Sequence, residues 1–205
     1  MSKTVCLAFT GASGMPYGIR LLECLLEAGC HVQLLYSQVA QVVARQEMGL
    51  ELPARPKEAA DYFRECYAAA LSKAGGSIES YGREEWFAPM ASGSNPPDAM
   101  VICPCTMGTL AAIAQGLANS LIERAADVVL KERRTLILVP RETPFSSIHL
   151  ENMLRLSQAG AVILPPNPGF YNQPQSVQEV IDFVVARILD HLGIEHRLMK
   201  RWGDA

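Results

Sequence analysis

Short, unbroken apolar runs alternate along this chain with longer stretches in which apolar residues return every three or four positions. Residues 4–9 (TVCLAF), 32–37 (VQLLYS), 99–104 (AMVICP), 135–140 (TLILVP) and 161–165 (AVILP) have the length and composition of buried strands. The first two flank a helix that starts near Pro16, so strand, helix and strand follow within about 35 residues, the size of a crossover unit. Helical spacing predicts further helices over 38–48, 57–72, 109–115, 121–134, 148–158 and 176–191. In the segment 121–134 the buried stripe is Leu121, Ile122, Ala125, Val128 and Val129. Residues 73–97 are irregular, punctuated by AGG and SGSNPP, with 86–88 as a candidate short strand. No repeat or low-complexity tract interrupts the pattern.

Four of the apolar runs are continuous rather than alternating, as strands covered on both faces require. A doubly wound parallel α/β sheet is therefore expected. Such sheets bind ligands beyond the carboxyl ends of their strands, where residues 11–14, Ser37, 104–106 and 140–143 would converge. The chemically interesting side chains collect along one edge.

Composition narrows the chemistry. With 205 residues, 49% of them apolar, the chain can bury one substantial core, and its length favours a single domain over residues 1–205. A formal charge of -3, from 18 basic and 21 acidic residues, gives no general attraction to nucleic acid or an anionic membrane; a local anion site stays open. No apolar run approaches the roughly 18–20 residues needed to cross a bilayer. Cys6, Cys24, Cys30, Cys66, Cys103 and Cys105 lack paired metal-ligand spacing, and no secretory pattern is read at the start. A reduced, cytoplasmic setting is the expectation.

The first apolar run continues into TGASGMPYG, with glycines at 11, 14 and 18 and Ser13 between them. The helix that follows has free amide hydrogens that favour an anion, Gly11 can take backbone angles closed to other residues, and Ser13 offers a hydroxyl. The spacing is not the dinucleotide G-x-G-x-x-G, and a plain strand-to-helix turn would look the same. The second strand ends Leu35, Tyr36, Ser37, without the carboxylate that holds ribose hydroxyls in NAD sites, which argues against NAD and leaves a mononucleotide open. Ser37 reads equally as a ligand-facing hydroxyl or a helix cap.

In CPCTMGT, Cys103 and Cys105 read as packing residues: no second cysteine pair completes a zinc site, and His31, His149, His191 and His196 fit no triad. Thr106, Met107, Gly108 and Thr109 open a helix with hydroxyls and amides suited either to a flavin or nucleotide or to capping. Arg124 and Lys131 share one helix face, with Arg133 and Arg134 at its end, as solvated charges or an anion patch. Arg187 sits beside apolar positions of the last helix, its bland alternative being a salt bridge. Arg141 and Glu142 follow a buried strand directly, and an ordinary surface pair would contribute commonly under about 1 kcal/mol, a weak reason to put both there. Tyr171, in PPNPGFYNQPQS, either covers a ligand or anchors its loop.

The segments TGASG, CPCTMGTL, ERAADVVLKERR, LVPRETPFS, HLENM, GAVILPP, PGFY and PQSVQEVIDFVVARILD occur in order across most of the chain. Together they resemble the flavin prenyltransferase family of ubiquinone biosynthesis, also labelled 3-octaprenyl-4-hydroxybenzoate carboxy-lyase and related to phenylacrylic acid decarboxylase partner proteins. The resemblance implies a single flavoprotein domain of Rossmann-like (flavodoxin-like) fold, a parallel sheet with helices on both faces in three layers. It implies FMN bound at subunit boundaries of a homo-oligomer, a dodecamer. By motif, Gly11, Ala12, Ser13 and Ser37 correspond to FMN contacts, Thr106, Met107, Gly108 and Thr109 to a second FMN loop, and Arg141 to an FMN-contacting arginine. Tyr171 and Arg187 correspond to residues holding the phosphate of dimethylallyl monophosphate, with Lys131, Arg124 and Glu142 nearby and Glu47 and Trp86 as further candidates. The implied reaction joins the dimethylallyl group to N5 and C6 of reduced FMN, releases phosphate, and supplies prenylated FMN to a partner decarboxylase. No metal is implied, and the chain has no D-D-x-x-D magnesium cluster. Direct decarboxylation by the chain itself and a non-enzymatic FMN carrier are the rival readings.

Overall fold

The computed structural model describes residues 2–200 and 203. Among these residues the sheet has six parallel strands in the order β3-β2-β1-β4-β5-β6: β1 Thr4–Phe9, β2 His31–Tyr36, β3 Ser77–Ser80, β4 Ala99–Cys105, β5 Thr135–Pro140 and β6 Val162–Ile163. The chain builds outward from β1 to β3, then returns past β1 to β4 and builds the other way. Counting the short edge strand β3, this is the Rossmann order; without it, the remaining five strands follow the flavodoxin order. Both descriptions of the fold apply.

Among the described residues there are eight α-helices, seven between strands and α8 after the last of them: α1 Met15–Glu27, α2 Gln38–Met48, α3 Pro56–Cys66, α4 Ala68–Ala74, α5 Met107–Ala114, α6 Leu121–Lys131, α7 Ser147–Gln158 and α8 Val177–Leu192. Because successive strand side chains point to opposite faces, β1 sends Val5, Leu7 and Phe9 into a core with Leu21 and Leu25 of α1 and Val184 and Ile188 of α8. Cys6 and Ala8 enter a second core with Leu110 of α5, Ala125 and Val129 of α6, and Met153 of α7. Two apolar faces explain the unbroken runs. Each fully buried leucine in these cores contributes roughly 1.5–3 kcal/mol relative to exposure. Hydroxyl caps start most of the helices that follow a strand or loop: Ser37 for α2, Thr106 for α5, Ser120 for α6, Ser146 for α7 and Ser176 for α8.

The margins of the sheet correct the sequence reading. Residues 86–88 form no strand: the amides of Trp86 and Ala88 donate to Glu84 and Glu85 within a turn, and Phe87 is fully exposed. The edge strand is β3, where Ile78 is the only residue buried, so no apolar run marked it. The helix expected over 57–72 is broken into α3 and α4 at Tyr67, whose ring stacks on Phe63 with centroids 6.4 Å apart. The run at 161–165 pairs only over Val162 and Ile163, since Pro165 and Pro166 bring no amide hydrogens to a ladder.

Candidate functional site

The strand ends are stitched into one crest. Ser37 N donates to Phe9 O at 3.0 Å, Thr10 N to Pro104 O at 3.1 Å, and Arg141 N to Cys105 O at 3.3 Å. The glycine turn, Ser37, Thr106 and Arg141 thus lie along one carboxyl edge, as the sequence pattern required.

Between β2, β1 and β4 a cavity of about 280 Å³ opens at the point where the strand order reverses. Leu35, Val39 and Ile122 wall it with carbon, and Tyr36 and Tyr81 add aromatic faces. Ser37, Thr106, Thr109, Glu123 and Arg83 supply its polar groups. A smaller polar annex of about 190 Å³ adjoins it, sharing Tyr36, Tyr81 and Arg83 and reaching Gln41 and Ser80. The Ser80 hydroxyl oxygen is buried with no hydrogen-bond partner. Burial pushes the Tyr36 phenol up to about 12, with Glu58 adding to the shift, and Tyr81 is raised by burial and by its 2.5 Å hydrogen bond to Glu79. Both rings are neutral at physiological pH, so these aromatic walls are uncharged.

The glycine turn is held by a carboxylate from the chain itself. Glu47, at the end of α2, accepts from Gly14 N at 3.0 Å and Met15 N at 2.9 Å through one oxygen, and from Gly14 N at 3.2 Å through the other. This is where an anion is most favoured, at the exposed amides of α1. Gly14 has φ 118°, which favours glycine, whereas a side chain on Gly11 would meet Val39 Cγ1 at 2.3 Å. Ala12 is buried and Ser13 exposed; neither lines the cavity.

Ser37 and Thr106 line the cavity and cap their helices at once. Ser37 Oγ accepts from Ala40 N at 3.1 Å, and Thr106 Oγ1 accepts from Thr109 N at 3.1 Å while donating to Thr109 Oγ1 at 2.9 Å. The Thr109 hydroxyl proton is left to donate onward. Met107 is buried into the core side of α5, and Gly108 is exposed. Cys105 is fully buried and desolvation pushes its thiol up to about 12, with a hydrogen bond from the Leu110 backbone working the other way; it is a packing residue.

The other candidates do not line this cavity. Arg124 donates to Asp127 at 2.7 Å and to Ala91 O at 3.0 Å; Lys131 pairs with Glu132 at 2.5 Å; Arg187 pairs with Asp190 at 2.6 Å. Tyr171 is half-exposed and packs edge-on against Phe183, with ring centroids 5.7 Å apart. Trp86 is 45% exposed, Arg141 is exposed, and Glu142 is partly buried at the end of β5. Among the described residues, no group of three or more His, Cys, Asp and Glu side chains is arranged to hold a metal ion, and no helix is long and apolar enough to cross a membrane.

Tyr81, Arg83, Ser120 and Glu123 line the cavity without having been singled out from sequence. Tyr81 and Arg83 follow β3 directly, so recognising that strand would have flagged them. Ser120 and Glu123 carried a different signal, a helix-start pattern of serine with glutamate three residues later.

An all-parallel doubly wound sheet with an aromatic-walled, hydroxyl-rimmed cavity at its switch point is the architecture of a nucleotide-cofactor protein. Residues 1–189 match the family model described as Flavoprotein. The chain is 58% identical over 203 residues to the flavin prenyltransferase UbiX of Pseudomonas aeruginosa, covering 98% of this chain and 95% of that protein. It is 46% identical over 203 residues to the flavin prenyltransferase UbiX of Methanocaldococcus jannaschii, with 99% of each covered. Among solved structures, AnUbiX in complex with FMN and dimethylallyl pyrophosphate matches with a TM-score of 0.84 at 36% identity, over 100% of both chains. A dodecameric FMN-dependent UbiX-like decarboxylase from Escherichia coli O157:H7 matches at 0.82 and 39% identity, over 98% of this chain and 100% of that one. The chain belongs to the flavin prenyltransferase family and is an enzyme of the UbiX type.

Proposed function

We propose that this enzyme binds reduced FMN in the crest cavity and joins to its N5 and C6 the dimethylallyl group of dimethylallyl monophosphate, releasing phosphate. The product, prenylated FMN, serves a separate decarboxylase. The observation that carries this reading is the cavity at the β1/β4 switch point, with flat aromatic and apolar walls and hydroxyls at its rim. A flavin fits that chemistry: its ring needs apolar walls, and its polar edge and tail need donors such as Ser37, Thr109, Arg83 and the orphaned Ser80 hydroxyl. Gly11, Ala12, Ser13 and Arg141 complete the flavin contacts, the first three by backbone amides that Glu47 leaves unused.

Bound reduced flavin supplies the nucleophilic nitrogen and carbon; the chain supplies position and charge. Lys131, Arg124, Tyr171 and Arg187 hold the departing phosphate, on which negative charge grows in the transition state. Glu142 moves the proton that ring closure releases, and Trp86 faces the allylic cation with its ring. Glu47 keeps the glycine turn in shape beside them. Within one chain these groups stand on outer surfaces, the cations paired with Glu132, Asp127 and Asp190. We infer that the enzyme is a homo-oligomer, with neighbouring copies bringing this set to the cavity mouth. Exposed apolar side chains support that assembly: Phe170, adjacent in sequence to Tyr171, Val177 at the start of α8, and Ile148, Leu150 and Leu154 on α7. The Escherichia coli relative is a dodecamer.

The test is anaerobic incubation with reduced FMN and either dimethylallyl monophosphate or the pyrophosphate, followed by mass spectrometry of the flavin. A flavin heavier by one five-carbon unit, formed with the monophosphate, is expected. An unchanged flavin, or carbon dioxide released from an aromatic acid by the purified chain alone, would overturn the reading.

A further inference from the structure

We propose that Thr10 is the positioning residue that locks the two ligand loops of the cavity to each other; this rests on the flavin-binding reading above. Thr10 follows β1 directly, is 2% exposed, and precedes Gly11 of the glycine turn. Its hydroxyl donates to Pro104 O at 2.8 Å and accepts from Thr106 N at 2.8 Å. Its own amide also donates to Pro104 O.

The need for this hydroxyl follows from the sheet. Registered pairing of β1 with β4 ends at Ala8 and Ile102, and the β4 ladder with β5 slips between Ile102 and Cys105. Beyond that point Pro104 accepts from Thr10 N but has no amide hydrogen to contribute to the junction. Two residues further on, Thr106 N donates to the Thr10 side chain in place of main chain. A valine has the same shape and would suit the buried position; burying a hydroxyl instead is costly unless both its proton and an oxygen lone pair are used, as they are here.

One side chain therefore sets the separation of Gly11 from Thr106. The arrangement propagates, because Thr106 caps α5 by accepting from Thr109 N and orients the Thr109 hydroxyl, a cavity-lining group. Without the Thr10 hydroxyl, Thr106 N loses its partner and the α5 start loses its side-chain tie to the glycine turn.

The experiment compares wild type, Thr10→Val and Thr10→Ser. Titration with FMN, read by quenching of flavin fluorescence on protein whose fold is checked by circular dichroism, should show affinity weakened about tenfold or more in Thr10→Val. Thr10→Ser should return it to within about twofold, because serine keeps the donor and acceptor. In steady state, Thr10→Val should raise KM for reduced FMN and leave KM for the prenyl phosphate unchanged. Wild-type FMN affinity in folded Thr10→Val would overturn the proposal. Should Thr10→Val not fold, amide exchange in ligand-free wild type decides: Thr106 N–H is expected to be protected like the β4 amides, and exchange at a loop's rate would overturn it. A wild-type chain that fails to bind FMN would instead strike the functional reading, and the exchange rate of Thr106 N–H would then decide whether Thr10 locks the loops.

Discussion

The carboxyl edge of the sheet divides into two unlike halves. Over β2, β1 and β4 the chain builds a finished cavity, in which Ser37, Thr106 and Thr10 hold fixed hydrogen bonds to main chain and the aromatic walls are neutral. Around β5, α6 and α8 it presents Arg141, Lys131, Tyr171 and Arg187 on open surface beside the partly buried Glu142, the longer cations resting against nearby carboxylates. Ion pairs of that exposed kind contribute typically under about 1 kcal/mol, so partners are easily exchanged. The first half is shaped by folding; the second is a set of polar and charged groups in exposed or partly exposed positions, to which the proposal assigns an anion.

On that contrast, substitutions in the open half will cost activity without costing the fold. Glu142→Gln should show the largest effect, a fall in kcat of about 100-fold or more with the thermal midpoint unchanged, and Lys131→Ala should follow it. Prenylation rate measured beside a melting curve checks both, and wild-type rates would remove their assigned roles. On the proposed role of its guanidinium, which does not line the cavity, Arg187→Ala should raise KM for the prenyl phosphate about tenfold or more while FMN affinity is unchanged. A loss confined to FMN binding would erase the division between the halves.

In the finished half, loss of a contact outside the cavity should appear as stability. Glu47→Ala removes the acceptor for two amides at the start of α1 and should lower unfolding free energy by about 1 kcal/mol, read by chemical denaturation. The last effect is one of pH and is absent at neutrality. Burial raises the thiols of Cys6, Cys24 and Cys105 from the ordinary 9.0 to about 12. In the unfolded chain they ionise first, so their contribution to stability is complete below pH 9.0 and is lost as pH rises through about 12. The thermal midpoint should fall across that window. A midpoint flat to pH 12 would show the thiols to be less sequestered than the structure has them.

Much of this was legible in the chain before folding. The strands β1, β2, β4 and β5 announced themselves because both their faces are covered, and the crest residues followed from strand ends. β3 was silent because a four-residue edge strand with only Ile78 buried leaves no apolar run. Tyr81 and Arg83 were hidden with it. The engagement of Glu47 with Gly14 and Met15 joins positions 33 and 32 residues apart, and no local pattern encodes such a contact. In the open half, strand ends alone put Arg141 and Glu142 at the crest, whereas roles for Tyr171 and Arg187 came only from likeness to a family, since an isolated arginine on a helix carries no spacing that distinguishes an anion site from a solvated charge.

The carboxylate at the head of α1 has one more consequence. Because the chain brings its own counter-charge to the turn, two of its amides are partnered before any visitor arrives, which lowers the share of the free energy of association spent on ordering it. The doorway stands built, and a guest need only enter.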